Sequence, residues 1–144
     1  MNVIIAGSRG LVNRFGGFLS ERDQAVVVHR ALQCSPFNID DINVVISGAN
    51  QSSPDAWGEA WALCVDGVDL EQYPADWDRH GRAAGPIRNG EMAEAGDALV
   101  AFWDGDSAGT KSMIDQARDN DCAVQVVRLD KEVVFEPLLG DLVE

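Results

Sequence analysis

Residues 97–110, which read DALVAFWDGDSAGT, carry the clearest secondary-structure signal in the chain. The apolar run within Asp97–Trp103 predicts a strand that is buried on both faces of a sheet. A loop rich in glycine and serine follows, and a helix is predicted from about Thr110 to Asp119. A buried strand, a short loop and a helix in this order indicate a parallel sheet covered by helices.

The same alternation continues on both sides of this stretch. Helices are predicted at 20–33, 56–65 and 86–94, and further strands at Asn2–Ala6, Ile42–Ile46, Val68–Tyr73 and Ala123–Leu129. Irregular loops are expected at 10–18 and 74–82. Five strands alternating with helices predict an α/β fold of the Rossmann-like, doubly wound type. We expect one domain over 1–130 and an acidic C-terminal tail at 131–144, with coil or a short helical turn.

The charge of the chain is strongly negative. Its 144 residues include 24 Asp and Glu against 11 Lys and Arg, which gives a formal net charge of -13. Such a surface repels nucleic-acid phosphates and anionic membranes, so we expect neither polymeric nucleic acid nor a membrane as a partner. The alternative interpretation is a surface that only keeps the protein soluble, or that reflects the base composition of the genome.

Other features of the sequence favour a protein of the cytoplasm. No apolar run approaches the roughly 20 residues that span a bilayer, and the N-terminal segment reads as a strand instead of a signal peptide. Cys34, Cys64 and Cys122 are far apart and form no CxxC pair. We therefore expect neither disulfides nor a metal site.

Two loops at predicted strand ends are candidates for a ligand site, because open parallel sheets bind ligands beside the carboxyl ends of their strands. The first is Gly7-Ser8-Arg9-Gly10, and the second runs from Asp104 to Thr110. In the second loop Gly109 permits close backbone approach, and Ser107 and Thr110 can donate hydroxyls to a phosphate at a helix N-terminus. An ordinary Ser or Thr helix cap is the alternative.

Neither loop has the spacing of a P-loop or of the GxGxxG dinucleotide fingerprint. ATP hydrolysis and NAD-dependent hydride transfer therefore lose support, and no cofactor is predicted.

A cluster of arginines is the third candidate. Arg79, Arg82 and Arg88 lie within ten positions of a very acidic chain, and the arginine fork suits phosphate. Trp77 in the same stretch can stack on a base. The alternative is a salt-bridged loop, in which neighbouring aspartates pair with the arginines and Trp77 is a packing anchor.

Several stretches of the chain resemble the YspA/YpsA-related branch of the SLOG superfamily. They are Gly7-Ser8-Arg9, Ser47-Gly48-Ala49, Gly58–Ala62, Pro74–Trp77, Gly81–Asn89, Met92, and Ala101–Gly105 with Ser107, Gly109 and Thr110. The resemblance covers about residues 2–129. It implies a Rossmann-like fold with strand order 3-2-1-4-5 and a site for a nucleotide or nucleotide-derived ligand. It also implies a bacterial or phage origin and a homodimer or higher homo-oligomer.

The chain departs from these relatives at two places. The branch has a loop like Gly-Gly-Ala-Arg-Gly-Ala-Asp after the second strand, whereas residues 48–55 lack its second glycine and its arginine. The superfamily also includes DprA and the Lonely Guy phosphoribohydrolases, whose arginine–lysine pair and Gly-Thr loop resemble Arg88-Asn89 and Gly109-Thr110. However, Lys111-Ser112-Met113 stands where those enzymes have a catalytic glutamate, so the catalytic residues are unknown and an enzyme is disfavoured.

We therefore expect a sensor or sequestering protein that binds a nucleotide or nucleotide-derived small molecule at the strand ends. The predicted ligand-binding residues are Gly7, Ser8, Arg9, Trp77, Arg79, Arg82, Arg88, Asn89, Asp104, Gly105, Ser107, Gly109 and Thr110. One alternative is a nucleotide N-glycosidase of the Lonely Guy type, in which Asp104, Asp106 or Glu59 replaces the missing glutamate. Another is an assembly module without a ligand, which associates through helix faces carrying Trp57 and Trp61.

Overall fold

The computed structural model describes residues 1–9 and 19–129, in which five strands form one parallel sheet. The strands are β1 (Asn2–Gly7), β2 (Val44–Ser47), β3 (Asp69–Gln72), β4 (Ala98–Trp103) and β5 (Ala123–Arg128). Their order across the sheet is β3-β2-β1-β4-β5, and all four neighbouring pairs are parallel. This confirms the predicted α/β fold, its parallel sheet and its strand order.

Helices connect the strands and cover both faces of the sheet. They are α1 (Glu21–Gln33), α2 (Asp55–Cys64), the single turn α3 (Trp77–His80), α4 (Ala84–Ala95) and α5 (Ala108–Asp119). Short 3-10 turns lie at Ile39–Asp41 and Gly81–Ala83. The Ser20 hydroxyl accepts a hydrogen bond from the Asp23 N–H at 3.1 Å and so caps α1.

The residues of each buried strand alternate between two apolar layers. Val3 and Ile5 of β1 belong to the layer that includes the buried side chains of α1 and α2. Ile4 belongs to the opposite layer, with Met92 of α4 and Met113 of α5. Because both layers are apolar, β1 and β4 carry the continuous hydrophobic runs that are typical of parallel strands.

One glycine sets the fit between α2 and the sheet. A Cβ at Gly58 would lie only 2.5 Å from the Cβ of Ile5, so α2 approaches β1 at a distance that a side chain would prevent. On the same side of the sheet, the Trp61 indole N–H donates to Nδ1 of His29 at 3.3 Å and joins α2 to α1. Both tryptophans of α2 are buried in this layer, as Trp57 also packs edge-on against Phe102 of β4.

Two predicted boundaries were wrong. The predicted second strand began at Ile42, but β2 begins at Val44 because the preceding residues form the 3-10 turn at Ile39–Asp41, capped by the Asn38 side chain. The segment 74–82 was predicted as a loop, but it contains α3. The Asp76 carboxylate accepts from the Arg79 N–H at 3.1 Å and caps this turn.

Other differences are small. α4 begins at Ala84, two residues before the predicted start, with Pro86 in its first turn, where helical N–H groups lack intrahelical acceptors. α5 begins at Ala108 instead of Thr110. The predicted irregular segment 10–18 and the predicted tail 131–144 lie outside the described residues, and the domain limits stay a prediction.

Candidate functional site

A cleft opens at the carboxyl ends of the neighbouring strands β1 and β4. The strand order reverses between these two strands, because β2 and β3 lie on the far side of β1 and β5 lies on the far side of β4. This is where doubly wound sheets bind ligands. The cleft has a volume of about 470 Å³. Its walls come from the ends of β1, the start of α2, the residues around α3 and α4, and the first turn of α5.

The N-terminal turn of α5 forms one wall of the cleft. Oδ1 of Asp104 accepts hydrogen bonds from the N–H groups of Asp106 and Ser107, at 2.9 and 2.8 Å. Partial burial opposes ionisation of Asp104, but these hydrogen bonds outweigh it and lower the pKa of this carboxyl. Gly105 adopts a left-handed backbone, with a φ of 85°, and turns the chain between the carboxylate and the helix.

The next N–H groups of α5 remain open to a ligand. Within residues 1–9 and 19–129, no acceptor takes the backbone hydrogens of Ala108, Gly109 or Thr110. All three residues line the cleft. Together with the partial positive charge of a helix N-terminus, these groups form an environment that favours an anion.

Ser8 and Thr110 are linked below this wall. Their hydroxyl oxygens lie 3.0 Å apart, and the Ser8 hydroxyl also accepts from the Asp104 N–H at 3.3 Å. Ser8 is almost fully buried and does not line the cleft. Its hydroxyl therefore ties the end of β1 to the loop that precedes α5.

Arg88 and Asn89, on α4, hold the opposite wall. Nη1 of Arg88 donates to the Gly48 carbonyl at 2.6 Å, and its Nε donates to Oδ1 of Asn89 at 3.1 Å. Nδ2 of Asn89 donates across the cleft to the Gly109 carbonyl at 3.3 Å. This chain of hydrogen bonds connects the loop after β2 to the first turn of α5 through α4.

Two arginines bring positive charge into the cleft. Burial lowers the pKa of Arg88, the charge of Arg9 lowers it further, and only Asp55 acts in the opposite direction. Among the described residues, no carboxylate lies within ion-pair distance of Arg9 or Arg88. The guanidinium groups repel each other without being neutralised by a described salt bridge, so a bound anion would relieve that repulsion.

Asp55, the first residue of α2, is a buried carboxyl in the same cleft. It is 6% exposed, and its Oδ2 accepts from the Asn50 N–H at 3.1 Å. Burial raises the pKa of Asp55 to about 6, although the Asn50 hydrogen bond and the charge of Arg88 both favour ionisation. A carboxyl that titrates near neutral pH inside a cleft is a common property of functional sites.

The structure brings together eight of the thirteen predicted ligand residues and leaves five outside the cleft lining. The lining residues are Gly7, Arg9, Trp77, Arg88, Asn89, Ser107, Gly109 and Thr110. Ser8, Asp104 and Gly105 instead shape the strand-to-helix connections. Arg79 and Arg82 are exposed on α3 and on the turn after it and line no part of the cleft.

Gly7 has a packing role in addition to its place in the cleft. A Cβ at this position would lie 2.5 Å from Cγ of Pro54 and 2.7 Å from the Phe102 carbonyl oxygen. Only glycine therefore fits where β1 leaves the sheet between these two neighbours.

Sequence reasoning missed part of the lining. The missed polar residues are Asn50, Ser53, Asp55 and Ser112, and the missed apolar residues include Pro86, Met92 and Met113. Asp55 carried one usable signal, since it directly follows Pro54, a residue type that suits the start of a helix. Met92 is one of the residues that carry the family resemblance, but Met113 carried no signal, because a buried methionine in a helix is most simply explained as part of the core.

Three comparisons place the chain among known proteins. It is similar to the Gene 61 protein of Mycobacterium phage D29, with 34% identity over 119 residues that span 81% of this chain and 87% of the phage protein. No protein-family profile matches the chain, and no solved structure matches it significantly.

Two further findings concern the part of the chain that the structure describes. No group of three or more His, Cys, Asp or Glu side chains there could hold a metal ion. No described helix has the length and apolar character that crossing a membrane requires.

Proposed function

The chain belongs to the same protein family as the Gene 61 protein of Mycobacterium phage D29, and we propose that it binds a nucleotide or nucleotide-derived small molecule through its phosphate. The phosphate lies in the cleft between β1 and β4, against the first turn of α5. The protein acts as a sensor of this ligand or sequesters it.

The observation that supports this proposal best is the concentration of positive charge in one cleft of a very acidic protein. Arg9, Arg88 and the N-terminus of α5 line the same cavity, while the chain carries a net charge of -13. Asp55 is the one carboxylate among the described lining residues. An anion would satisfy the open N–H groups of α5 and relieve the repulsion between the two arginines.

Calorimetric titration with inorganic phosphate, ribose 5-phosphate and the four nucleoside monophosphates tests the proposal. At least one nucleoside monophosphate should bind. Arg9→Ala and Arg88→Ala should each weaken its binding about tenfold, because each removes a charge-assisted hydrogen bond. Arg79→Ala is the matched control, since it removes the same charge from an exposed position outside the cleft.

Thermal unfolding of each variant separates loss of binding from loss of structure, which matters for Arg88 because its side chain also holds the Gly48 carbonyl. The proposal is wrong if none of the phosphates binds to the wild type. It is also wrong if both cleft variants bind as the wild type does.

A second candidate function is hydrolysis of the N-glycosidic bond of the bound nucleotide, and one observation favours it. Asp104 and Glu59 do not line the cleft, whereas Asp55 is a cleft carboxyl whose pKa of about 6 suits proton transfer near neutral pH. Incubation with nucleoside monophosphates, followed by chromatography for free base, distinguishes this activity from binding alone.

A further inference from the structure

A second cavity adjoins the cleft and lies beyond the residues proposed for the phosphate. This second lobe has a volume of about 310 Å³ and is lined by the loop after β2, the segment before α3 and four residues that also line the cleft. The shared residues are Arg9, Asn50, Trp77 and Arg88. A ligand can therefore occupy both cavities across this common boundary.

Trp77 supplies an aromatic surface at the boundary. It is 52% exposed, which is unusual for the largest apolar side chain, whereas Trp57 and Trp61 are buried. Its ring lies beside Gly85, where a Cβ would approach it to 3.6 Å. Pro74 and Ala75 line the second lobe next to it, so the lobe offers an apolar wall that suits a flat ring.

The opposite wall of the second lobe is polar and held in place. Ala49 adopts a left-handed backbone, with a φ of 62°, a strained conformation for a residue with a side chain. Three interactions fix the loop around it. The Ala49 N–H donates to the Ser47 hydroxyl, Arg88 donates to the Gly48 carbonyl, and the Gln51 amide donates to Glu59 at 3.2 Å.

Two side-chain amides on this loop retain hydrogen-bonding capacity. Asn50 accepts from the Ser52 N–H through Oδ1, and within the described parts of the chain its Nδ2 has no partner. Gln51 uses Nε2 toward Glu59, and no described donor reaches its Oε1. The second lobe thus has a hydrogen-bond donor and an acceptor on one side, which can recognise the polar edge of a nucleobase. It has an aromatic ring on the other side, on which the face of the base can stack.

We propose that the second lobe is a nucleobase subsite, in which the base stacks on Trp77 with its polar edge toward Asn50 and Gln51. This inference rests on the proposed function, because the phosphate of the same ligand occupies the cleft at α5. The ligand class is then a nucleotide with an intact base, and the sugar crosses the boundary beside Arg9 and Arg88.

Calorimetry with paired ligands tests the subsite separately from the phosphate site. The wild type should bind its preferred nucleoside monophosphate at least about tenfold more tightly than ribose 5-phosphate, since base stacking on an aromatic side chain has about this effect. Trp77→Leu should remove this difference, because the affinity for the nucleotide falls much further than the affinity for ribose 5-phosphate. Trp77→Phe is the matched control and should keep the difference, because it retains an aromatic face.

A second variant probes the polar wall without touching the aromatic residue. Gln51→Ala should alter the relative affinities of the four nucleoside monophosphates and leave ribose 5-phosphate unaffected. Gln51 is exposed, and its removal leaves Glu59 bonded to Ser47 and Gln72.

The outcomes separate the two proposals. If ribose 5-phosphate binds as tightly as every nucleoside monophosphate, or if Trp77→Leu keeps the difference, the nucleobase subsite is wrong and the phosphate site stands. An unchanged base preference in Gln51→Ala would contradict the assigned role of that residue. If the wild type binds none of these ligands, both proposals fail.

Discussion

The pKa of Asp55 lies well above the ordinary value for an aspartate. Folding buries its carboxyl beside Arg88, and burial raises its pKa from 3.8 to about 6. The folded protein therefore holds the Asp55 proton more tightly than the unfolded chain does. This contribution to stability is fully present below about pH 4 and is lost as the pH rises through about 6.

Replacing Asp55 with asparagine should make the protein more stable relative to the wild type as the pH rises from 4 to 7. Asparagine is always neutral and can still accept from the Asn50 N–H, so it avoids the cost of ionising a buried group. The difference in the free energy of unfolding should change by roughly 2 kcal/mol over this range. Urea unfolding at several pH values measures it.

Asp106→Asn is the control for this experiment, since it removes the same charge from an exposed position. Subtracting its effect corrects for the change in net charge. A pH-independent difference between Asp55→Asn and the wild type would show that the burial of Asp55 does not govern its titration.

The predictable part of the site follows from local sequence, and the rest depends on tertiary contacts. The glycines, hydroxyls and arginines of strand-end loops are visible in the chain, and Arg9, Arg88 and Thr110 do line the cleft. Arg79 carries the same local signal as Arg88 but lies on the capped turn α3, exposed to solvent. The burial of Asp55 depends on how α2 packs on the sheet, which no local pattern specifies.

At the scale of the element, the two glycines around the start of α5 differ in what the fold requires of them. Gly105 needs a left-handed backbone, with a φ of 85°. Gly109 has ordinary helical geometry, and a Cβ there would meet nothing within 4 Å. The glycine at position 109 is therefore not required by the fold of the described chain, which is consistent with a role in admitting a ligand.

Gly109→Ala should stabilise the free protein by about 0.5–1 kcal/mol, because alanine loses less conformational entropy than glycine on entering a helix. The same substitution should weaken nucleotide binding about tenfold, because its methyl group blocks close approach to one backbone N–H. Thermal unfolding and calorimetry of the same samples measure the two effects.

Gly105→Ala should lower the stability of the protein, whereas Gly109→Ala should raise it, so the two variants are compared. It forces a side chain into the left-handed region and should destabilise the fold by about 1–2 kcal/mol. If Gly109→Ala binds nucleotide as the wild type does, close approach at this position is not part of recognition.

Sequence periodicity predicts the elements better than it predicts their ends. The buried strands β1 and β4 are continuous apolar runs, so their positions follow directly from the chain. The start of β2 and the turn α3 depend on single side-chain caps, from Asn38 and Asp76, which compete with the extended or irregular alternatives. Such caps are short-range and polar, and the apolar pattern does not detect them.

For the whole molecule, the excess of acidic residues and the basic cleft act together. A net charge of -13 repels a polyanion at long range. Under the proposed function, a small anion reaches the cleft of about 470 Å³ that Arg9 and Arg88 line. The absence of polymeric nucleic acid among the partners, the cytoplasmic location and the homodimer or higher homo-oligomer stay predictions.

The central claim is that a phosphate group binds at the N-terminus of α5 in the cleft between β1 and β4. A crystal structure of the protein with the nucleoside monophosphate that binds best in calorimetry tests it most directly. We predict that the phosphate oxygens accept hydrogen bonds from the N–H groups of Ala108 and Gly109 and from Arg9 or Arg88. A phosphate bound at any other place on the protein, or a cleft that remains without ligand at saturating nucleotide, would contradict the claim.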